Sequence, residues 1–474
     1  MTSPTPISRR AFLVAGAALS LTPALTAFPS RAAGIREYRL AAAPGRASLV
    51  GGGNPETDVW AFNGAVPGPE IRARQGERLR IVVENGLKEE TTVHWHGIRV
   101  PNAMDGVPHL TQKPIAPGAS FTYEFDVPDA GTYWYHPHQR SFEQVGRGLY
   151  GPLIVEEREP IAVDREFFWV LDDWRLLPDA QISGDFGNMM DMSHNGRIGN
   201  TATVNGRVRD SFEVRSGERI RLRLINAANA RTFGLDFAGH APRIIAVDGQ
   251  PVEPHAPAGG RIVLGAAMRA DVVIDMTGKP GERFSVKDTF YRGLEYRLLD
   301  LVYAAEPLRD RLPDGPIALA RNTMPEPDVG AAERHEVNFG GGMMGNMATA
   351  MMDGHRTGMR DMMQHGMAWA INGVVATGHA LEPFLTLRRG STHILALQND
   401  TAWHHPIHLH GHSFRVISRN GEPTRYREWQ DTVLLNPRDR AEIAFVADNP
   451  GDWMLHCHIL EHQAAGMMGV FRVA

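Results

Sequence analysis

The segment His456-Cys457-His458-Ile459-Leu460-Glu461-His462-Gln463-Ala464-Ala465-Gly466-Met467 holds the only cysteine of the 474-residue sequence. A single cysteine excludes an internal disulfide, so its chemistry is that of a lone thiol. In most proteins such a thiol is a small buried hydrophobe. Here a histidine flanks it on each side, a third follows five residues on, and a methionine follows ten residues on. Two imidazoles, one thiolate and a distant thioether form the ligand set of a blue-copper electron-transfer site. The segment supplies Cys457, His462 and Met467, so one more histidine must come from elsewhere. On a strand, His456 and His458 point to the face opposite Cys457. They are then placed to bind something on that face, joined to the thiolate through the backbone.

Working outward, one unit is written three times. Phe62-Asn63-Gly64 leads through Gly76-Glu77-Arg78-Leu79-Arg80-Ile81 to Val93-His94-Trp95-His96-Gly97. Val204-Asn205-Gly206 leads through Gly217-Glu218-Arg219-Ile220 to Gly234-Leu235-Asp236-Phe237, and Ile371-Asn372-Gly373 leads through Gly390-Ser391-Thr392-His393 to Ile407-His408-Leu409-His410-Gly411. Each copy has an Asn-Gly turn, a Gly turn, an alternating strand and a second strand after a polar loop. The period is too long for a solenoid, so the copies are duplicated domains. The outer copies also match at their ends, where Gly131-Thr132-Tyr133-Trp134-Tyr135-His136-Pro137-His138 parallels Gly451-Asp452-Trp453-Met454-Leu455-His456-Cys457-His458. The middle copy lacks these histidines and is expected to bear no metal. Short alternating strands without a sustained helical pattern predict an all-β chain of β-sandwiches. The expected domains are 35–157, 160–305 and 335–474, with the proline-rich stretch 306–334 as a linker.

Four His-x-His pairs result: His94/His96, His136/His138, His408/His410 and His456/His458, with His405 three residues before His408. On a strand both members of a pair face the same way. One such pair is weak evidence for metal; four, placed equivalently in two duplicated domains, are strong.

On these motifs the chain resembles the three-domain multicopper oxidases, the family of laccases and bacterial cuprous oxidases. The motifs are His94-Trp95-His96-Gly97, His136-Pro137-His138, His405-Pro406-Ile407-His408-Leu409-His410-Gly411 and the Cys457 segment. The resemblance implies three cupredoxin-like Greek-key sandwiches and four copper ions, one of type 1, one of type 2 and two of type 3. By position, type 1 copper takes His405, Cys457, His462 and the axial Met467. Type 2 takes His94 and His408. One type 3 ion takes His96, His136 and His458, and the other takes His138, His410 and His456. The implied activity is one-electron oxidation of a reductant coupled to four-electron reduction of O2 to water, with Cys457, His456 and His458 linking the two centres. Asp105 stands where the family places a proton-relaying acid near type 2 copper; a turn Asp before Gly106 is the plainer reading. Gln463 replaces a glutamate common in the cuprous-oxidase members, with Glu461 two residues away. Thr401 and Trp403 replace an Asp and a Met that hold substrate copper there. His404 and His412 receive no ligand role.

Nine of the 20 methionines fall within 343–367: Met343, Met344, Met347, Met351, Met352, Met359, Met362, Met363 and Met367. Met343, Met347 and Met351 follow helical spacing, as do Met359 and Met363, although the glycines among them would fray a long helix. Such a stripe is usually core filler. At this density, however, soft thioethers also form a Cu(I)-selective cluster, as in the insert of the cuprous oxidases that the chain resembles. Met189, Met190, Met192 and His194 form a second small group. Cu(I) is therefore the expected reductant, in copper tolerance. A laccase acting on phenols or aromatic amines is the alternative, and a Met-rich copper-storage protein is the alternative of another class.

The remaining composition bounds partners and location. A net charge of −5 offers no footprint for nucleic acid. Ser8-Arg9-Arg10-Ala11-Phe12-Leu13 before an apolar run to about Phe28 predicts a twin-arginine export signal over 1–33. Pro23 interrupts that run, which is too short to span a membrane. A monomeric periplasmic protein without stable membrane insertion is expected.

Overall fold

Each of the three Asn-Gly pairs turns the chain with both residues at positive φ: 52° and 72° at Asn63-Gly64, 52° and 68° at Asn205-Gly206, 50° and 74° at Asn372-Gly373. Asn and Gly are the residues that tolerate this conformation. The asparagine side chain also pins each turn to the strand that opens its copy. Asn63 Oδ1 accepts from the Ala41 amide and its Nδ2 donates to the Arg39 carbonyl. Asn205 does the same with Val170 and Phe168, and Asn372 with Asn338 and Glu336. The repeated Asn is thus a structural clamp.

The computed structural model describes residues 34–378 and 382–474; the expected export signal lies outside them. In every copy the opening strand runs parallel to the strand after the Gly turn. Ile35–Ala47 pairs with Arg78–Asn85, Arg165–Trp174 with Arg219–Asn226, and Glu333–Gly341 with Thr392–Asn399. Each copy closes as two facing sheets, of four and four strands in the first, six and five in the second, and a larger sheet against one of five in the third. This is the three-sandwich architecture that the repeats predicted, and it agrees with the cupredoxin-like fold that the resemblance implied. Alternation fills the cores: along Arg78–Asn85 every second residue, including Leu79, Ile81 and Val83, is buried.

The motif strands break that alternation, because His94–His96, Gly131–His136 and His405–Leu409 are buried on both faces. One face meets its own sandwich and the other meets a neighbouring domain. Stretch 306–334 has no strand before Glu333, and Asn322 within it bonds both the amide and the carbonyl of Ala130 as well as Gln250. It is packed chain.

The methionine-rich stretch departs from expectation. Met343, Met347 and Met351 do not share a helix. Thr349–Met352 and His355–Gly358 pair as a hairpin around Asp353-Gly354, both at positive φ, and only Met359–Gln364 is helical. Asp-Gly is a strong hairpin turn signal, and it overrides the methionine spacing. Among the described residues no helix is long and apolar enough to cross a membrane.

Candidate metal centre

Strand register brings the cysteine to its partner. Gly451–Cys457 lies antiparallel to His405–Leu409 with Cys457 opposite Ile407 and His456 opposite His408. The helix Leu460–Ala464 then folds His462 back over the thiol. His405 Nδ1 lies 3.4 Å from Cys457 Sγ, His462 Nδ1 lies 3.7 Å from it, and the two nitrogens are 3.2 Å apart. Ligands of one tetrahedral ion stand about 3.3 Å (N to N) or 3.6 Å (N to S) apart. The other nitrogen of each ring is already engaged: His405 Nε2 with Thr401 Oγ1 at 2.8 Å, and His462 Nε2 with the His194 carbonyl at 2.8 Å. Each Nδ1 is thereby left as a lone pair facing the sulfur. Met467 is fully buried in the same core, and its carbonyl accepts from the Cys457 amide. Trp369 covers the site, its ring 4.2 Å from His462 and 5.1 Å from His405. Burial pushes the Cys457 thiol up and holds His405 well below the ordinary imidazole range. Metal binding here expels a thiol proton.

On the other face of Cys457 the eight imidazoles of the four pairs share one buried space. His138, His410 and His456 form one trio of facing nitrogens, and His410 Nε2 stands 3.1 Å from His456 Nε2. His136 Nε2 stands 3.3 Å from His458 Nε2, with the His96 ring 5.0 Å from that of His458. His94, His408 and His410 form a further trio. Among the described residues nothing satisfies His94 Nε2, His96 Nδ1 or His408 Nε2. Their opposite nitrogens bond the Asp105 carbonyl, the Asp431 carboxylate and the Asp431 carbonyl. Buried polar atoms without partners are rare, and a ring of inward lone pairs is a metal site. Desolvation lowers the proton affinity of His96, His136, His138, His408, His410 and His458, and takes His456 down to about 3, so these rings are neutral donors.

Two carboxylates orient the rings. Asp105, fully buried, accepts from His410 Nδ1 at 2.8 Å and lies 3.3 Å from His94 Nδ1. The following Gly106, at φ 82°, is obligatory, since a Cβ there would fall 1.9 Å from the Val93 carbonyl oxygen. The second carboxylate was not singled out in the sequence. Asp431 accepts from His96 Nε2 at 3.0 Å and is gripped by Arg269 through contacts of 2.8 and 2.6 Å. The guanidinium holds Asp431 ionised, while burial and the neighbouring Asp431 push Asp248 up to about 7. Arg269 and Asp248 belong to the middle copy, which supplies support without an imidazole.

The short helix also settles which residue faces the histidines. Gln463 Nε2 lies 3.4 Å from His138 Nε2 and its Oε1 accepts from Ser141 Oγ, beside a cavity of about 220 Å³ that His138 and Met454 also line. Glu461 faces away, accepting from Asn229 Nδ2 at 2.8 Å. Burial raises its carboxyl to about 7. The carboxyl's contribution to stability is therefore intact below pH 4.5 and is lost as pH rises to 7. Glu461→Gln in copper-free protein is expected to match the wild type at pH 4.5 and exceed it by up to about 3 kcal/mol at pH 8. Chemical denaturation at the two pH values checks this; equal stability at pH 8 would show that the carboxyl ionises freely.

Of the unassigned histidines, His412 is buried against Trp453 and bonds the His410 carbonyl, and His404 packs on Phe290. In the methionine-rich stretch Met343, Met344 and Met351 are exposed. Met352 and Met362 are buried in a small core with Ala350, Ala370 and Val375, against which Met347 and Met367 pack; Met359 and Met363 are half-buried.

Comparison with known proteins agrees with this geometry. The sequence profiles of the multicopper oxidase family match residues 46–160, 166–309 and 352–474. The multicopper oxidase MmcO of Mycobacterium tuberculosis is 32% identical over 463 residues, covering 88% of this chain and 83% of that protein. A copper resistance protein A homolog of Pseudomonas syringae is 26% identical, covering 99% and 100%. The crystal structure of a multi-copper oxidase from Pseudomonas thermotolerans superposes with a TM-score of 0.82 at 35% identity, covering 93% and 100%. With three matching profiles, a relative above 30% identity along most of its length, and a histidine–cysteine frame suited to copper, the chain belongs to the multicopper oxidases, copper-dependent oxidoreductases.

Proposed function

We propose that this multicopper oxidase is an exported enzyme of copper tolerance that oxidises Cu(I) to Cu(II) with O2 as acceptor. Each Cu(I) gives one electron, and O2 takes four electrons and four protons to become two waters. His405, Cys457, His462 and Met467 would hold type 1 copper, His94 and His408 type 2, and the trios His96/His136/His458 and His138/His410/His456 the type 3 pair. Copper so bound supplies fast one-electron exchange and a store deep enough to reduce O2 fully. The chain's own residues do the rest. Cys457 is bonded through the backbone to His456 and His458, a covalent link between the two centres. Asp105 and Asp431 orient the rings, and in this reading Asp105, bonded to His410 and beside His94, serves as the proton relay. The arginine pair at residues 9–10 supports export to the periplasm.

The observation that carries the Cu(I) reading is the position of the methionines. Trp403 Nε1 donates to the Met343 carbonyl at 2.9 Å, and the Trp403 ring packs 5.4 Å from His194, whose carbonyl accepts from His462. The backbone of the exposed Met343 is thus tied to the rim of the thiolate site, at the start of the methionine-rich stretch, and soft sulfur selects Cu(I). Phenol oxidation is disfavoured, because His462 is fully buried and its outer nitrogen is already bonded. The name of the Pseudomonas syringae relative agrees with a role in copper resistance.

The test is deletion of 343–367. The Gly342 amide donates to the Ala368 carbonyl at 2.8 Å, so the flanking ends already touch. Cu(I)-driven O2 uptake is expected to fall by about tenfold or more, the equivalent of one ~1.4 kcal/mol contact, while phenol oxidation survives or rises. Unchanged Cu(I) oxidation, or a phenol that is much the better donor with the insert in place, would make the chain a laccase. Copper-loaded protein that consumes no O2 with any reductant would make it a storage protein.

A further inference from the structure

A second set of metal-binding groups lies in the third sandwich, apart from both centres. Glu333 and His335 stand two apart on Glu333–Gly341 and so share a face. That strand runs parallel to Thr392–Asn399, with Glu333 opposite His393. His335 Nε2 is 3.1 Å from His393 Nδ1. Glu333 reaches over both, with Oε1 4.0 Å from His335 Nε2 and Oε2 3.9 Å from His393 Nδ1.

Hydrogen bonding fixes one ring in a ligating state. Ser391 Oγ donates to the Arg388 carbonyl, so at 2.8 Å it accepts from His393 Nε2. The proton of His393 then sits on Nε2, and Nδ1 is a lone pair facing His335. A hydroxyl or carbonyl behind a histidine is the usual support of a metal-bound imidazole. Two nitrogens about 3.1–3.3 Å apart are spaced as ligands of one ion at about 2.0–2.1 Å from each. Protein walls the site, since the His393 side chain is 1% exposed and that of His335 13%. The Glu333 side chain, 70% exposed, is free to close the remaining gap of under 1 Å from the solvent side. Without metal the two rings share a hydrogen bond; moving the His335 proton to Nδ1 opens the second lone pair.

We propose that Glu333, His335 and His393 form a surface site for a borderline divalent cation. Two imidazoles, one carboxylate and no sulfur suit Cu(II) or Zn(II), Cu(II) the tighter of the two, and leave positions for water. The donor set is the opposite of the thioether stretch, which suits Cu(I). The site does not depend on which reductant the enzyme uses.

The test uses the holoprotein carrying its four copper ions, with any loosely held copper first removed by a mild chelator, titrated with Zn(II) by calorimetry and analysed for metal after gel filtration. The wild type is expected to take one further equivalent. His335→Gln loses it, and Ser391→Ala weakens it by ~10–100-fold, as for other outer-shell supports. Glu333→Gln, a change on an exposed side chain that leaves folding untouched, also weakens it. O2 uptake and the original copper content stay at wild-type levels in all three. Absence of a further equivalent in the wild type, or undiminished wild-type Zn(II) binding by both His335→Gln and Glu333→Gln, would overturn the site and reduce the contact to a histidine–histidine hydrogen bond.

Discussion

Cys457→Ser is expected to abolish O2 uptake with every reductant, remove the blue absorption of the thiolate site, and leave one copper per chain fewer than in the wild type. The reason lies in three nearly equal distances: Cys457 Sγ closes a triangle with His405 Nδ1 and His462 Nδ1 at 3.4 and 3.7 Å, and the two nitrogens are 3.2 Å apart. The hydroxyl of serine is a poor ligand for a soft site, and in this dry core it costs about 1–3 kcal/mol unless it finds a partner. The imidazole cluster on the opposite face is untouched, so its metal stays. Metal analysis, the visible spectrum and O2 uptake read these effects separately. Sustained uptake in a variant lacking the blue absorption would mean that electrons reach the cluster without Cys457.

Arg269→Met carries the second large effect, from a domain that contributes no imidazole to either centre. Arg269 is fully buried, donates to both oxygens of Asp431, and reaches the Thr132 carbonyl of the first sandwich through Nε. Removing it strands the Asp431 carboxylate in the interior, a change worth about 3–5 kcal/mol. The carboxylate then takes up a proton or rotates, and His96 loses the acceptor that keeps its Nδ1 free. Copper affinity at the cluster is expected to fall by ~10–100-fold. Chemical denaturation reads the first effect and copper titration the second. Arg269→Lys does not rescue fully, because an ammonium cannot reproduce the two-pronged contact. A variant with wild-type stability and full copper content would show that Asp431 needs no partner.

Much of the centre was legible in the sequence because its ligands come in rigid local patterns. His-x-His on a strand fixes two rings on one face, and Cys457 between His456 and His458 fixes the opposite faces of one strand. The duplicated Asn-Gly turns were legible for a related reason: positive φ and the clamp to the opening strand are both local demands. The methionine stretch misled at Met343, Met347 and Met351, where helical spacing and the Asp353-Gly354 turn competed and the turn decided the outcome, whereas Met359 and Met363 do share a helix.

The sequence by itself therefore determined the three-sandwich fold, the identity of the candidate ligands and the pairing of cysteine with its two flanking histidines. Only the tertiary structure decided what surrounds them. Arg269 and Asp431 stand 162 positions apart and meet where the middle and third sandwiches pack. The cap on His462 is the backbone carbonyl of His194, an atom every residue possesses and no residue type announces. Gln463 rather than Glu461 faces His138 because two residues on a helix are turned about 200° from each other, onto opposite sides. Contacts between domains depend on how completed folds dock, and burial in that docking turns each of them into a strong constraint.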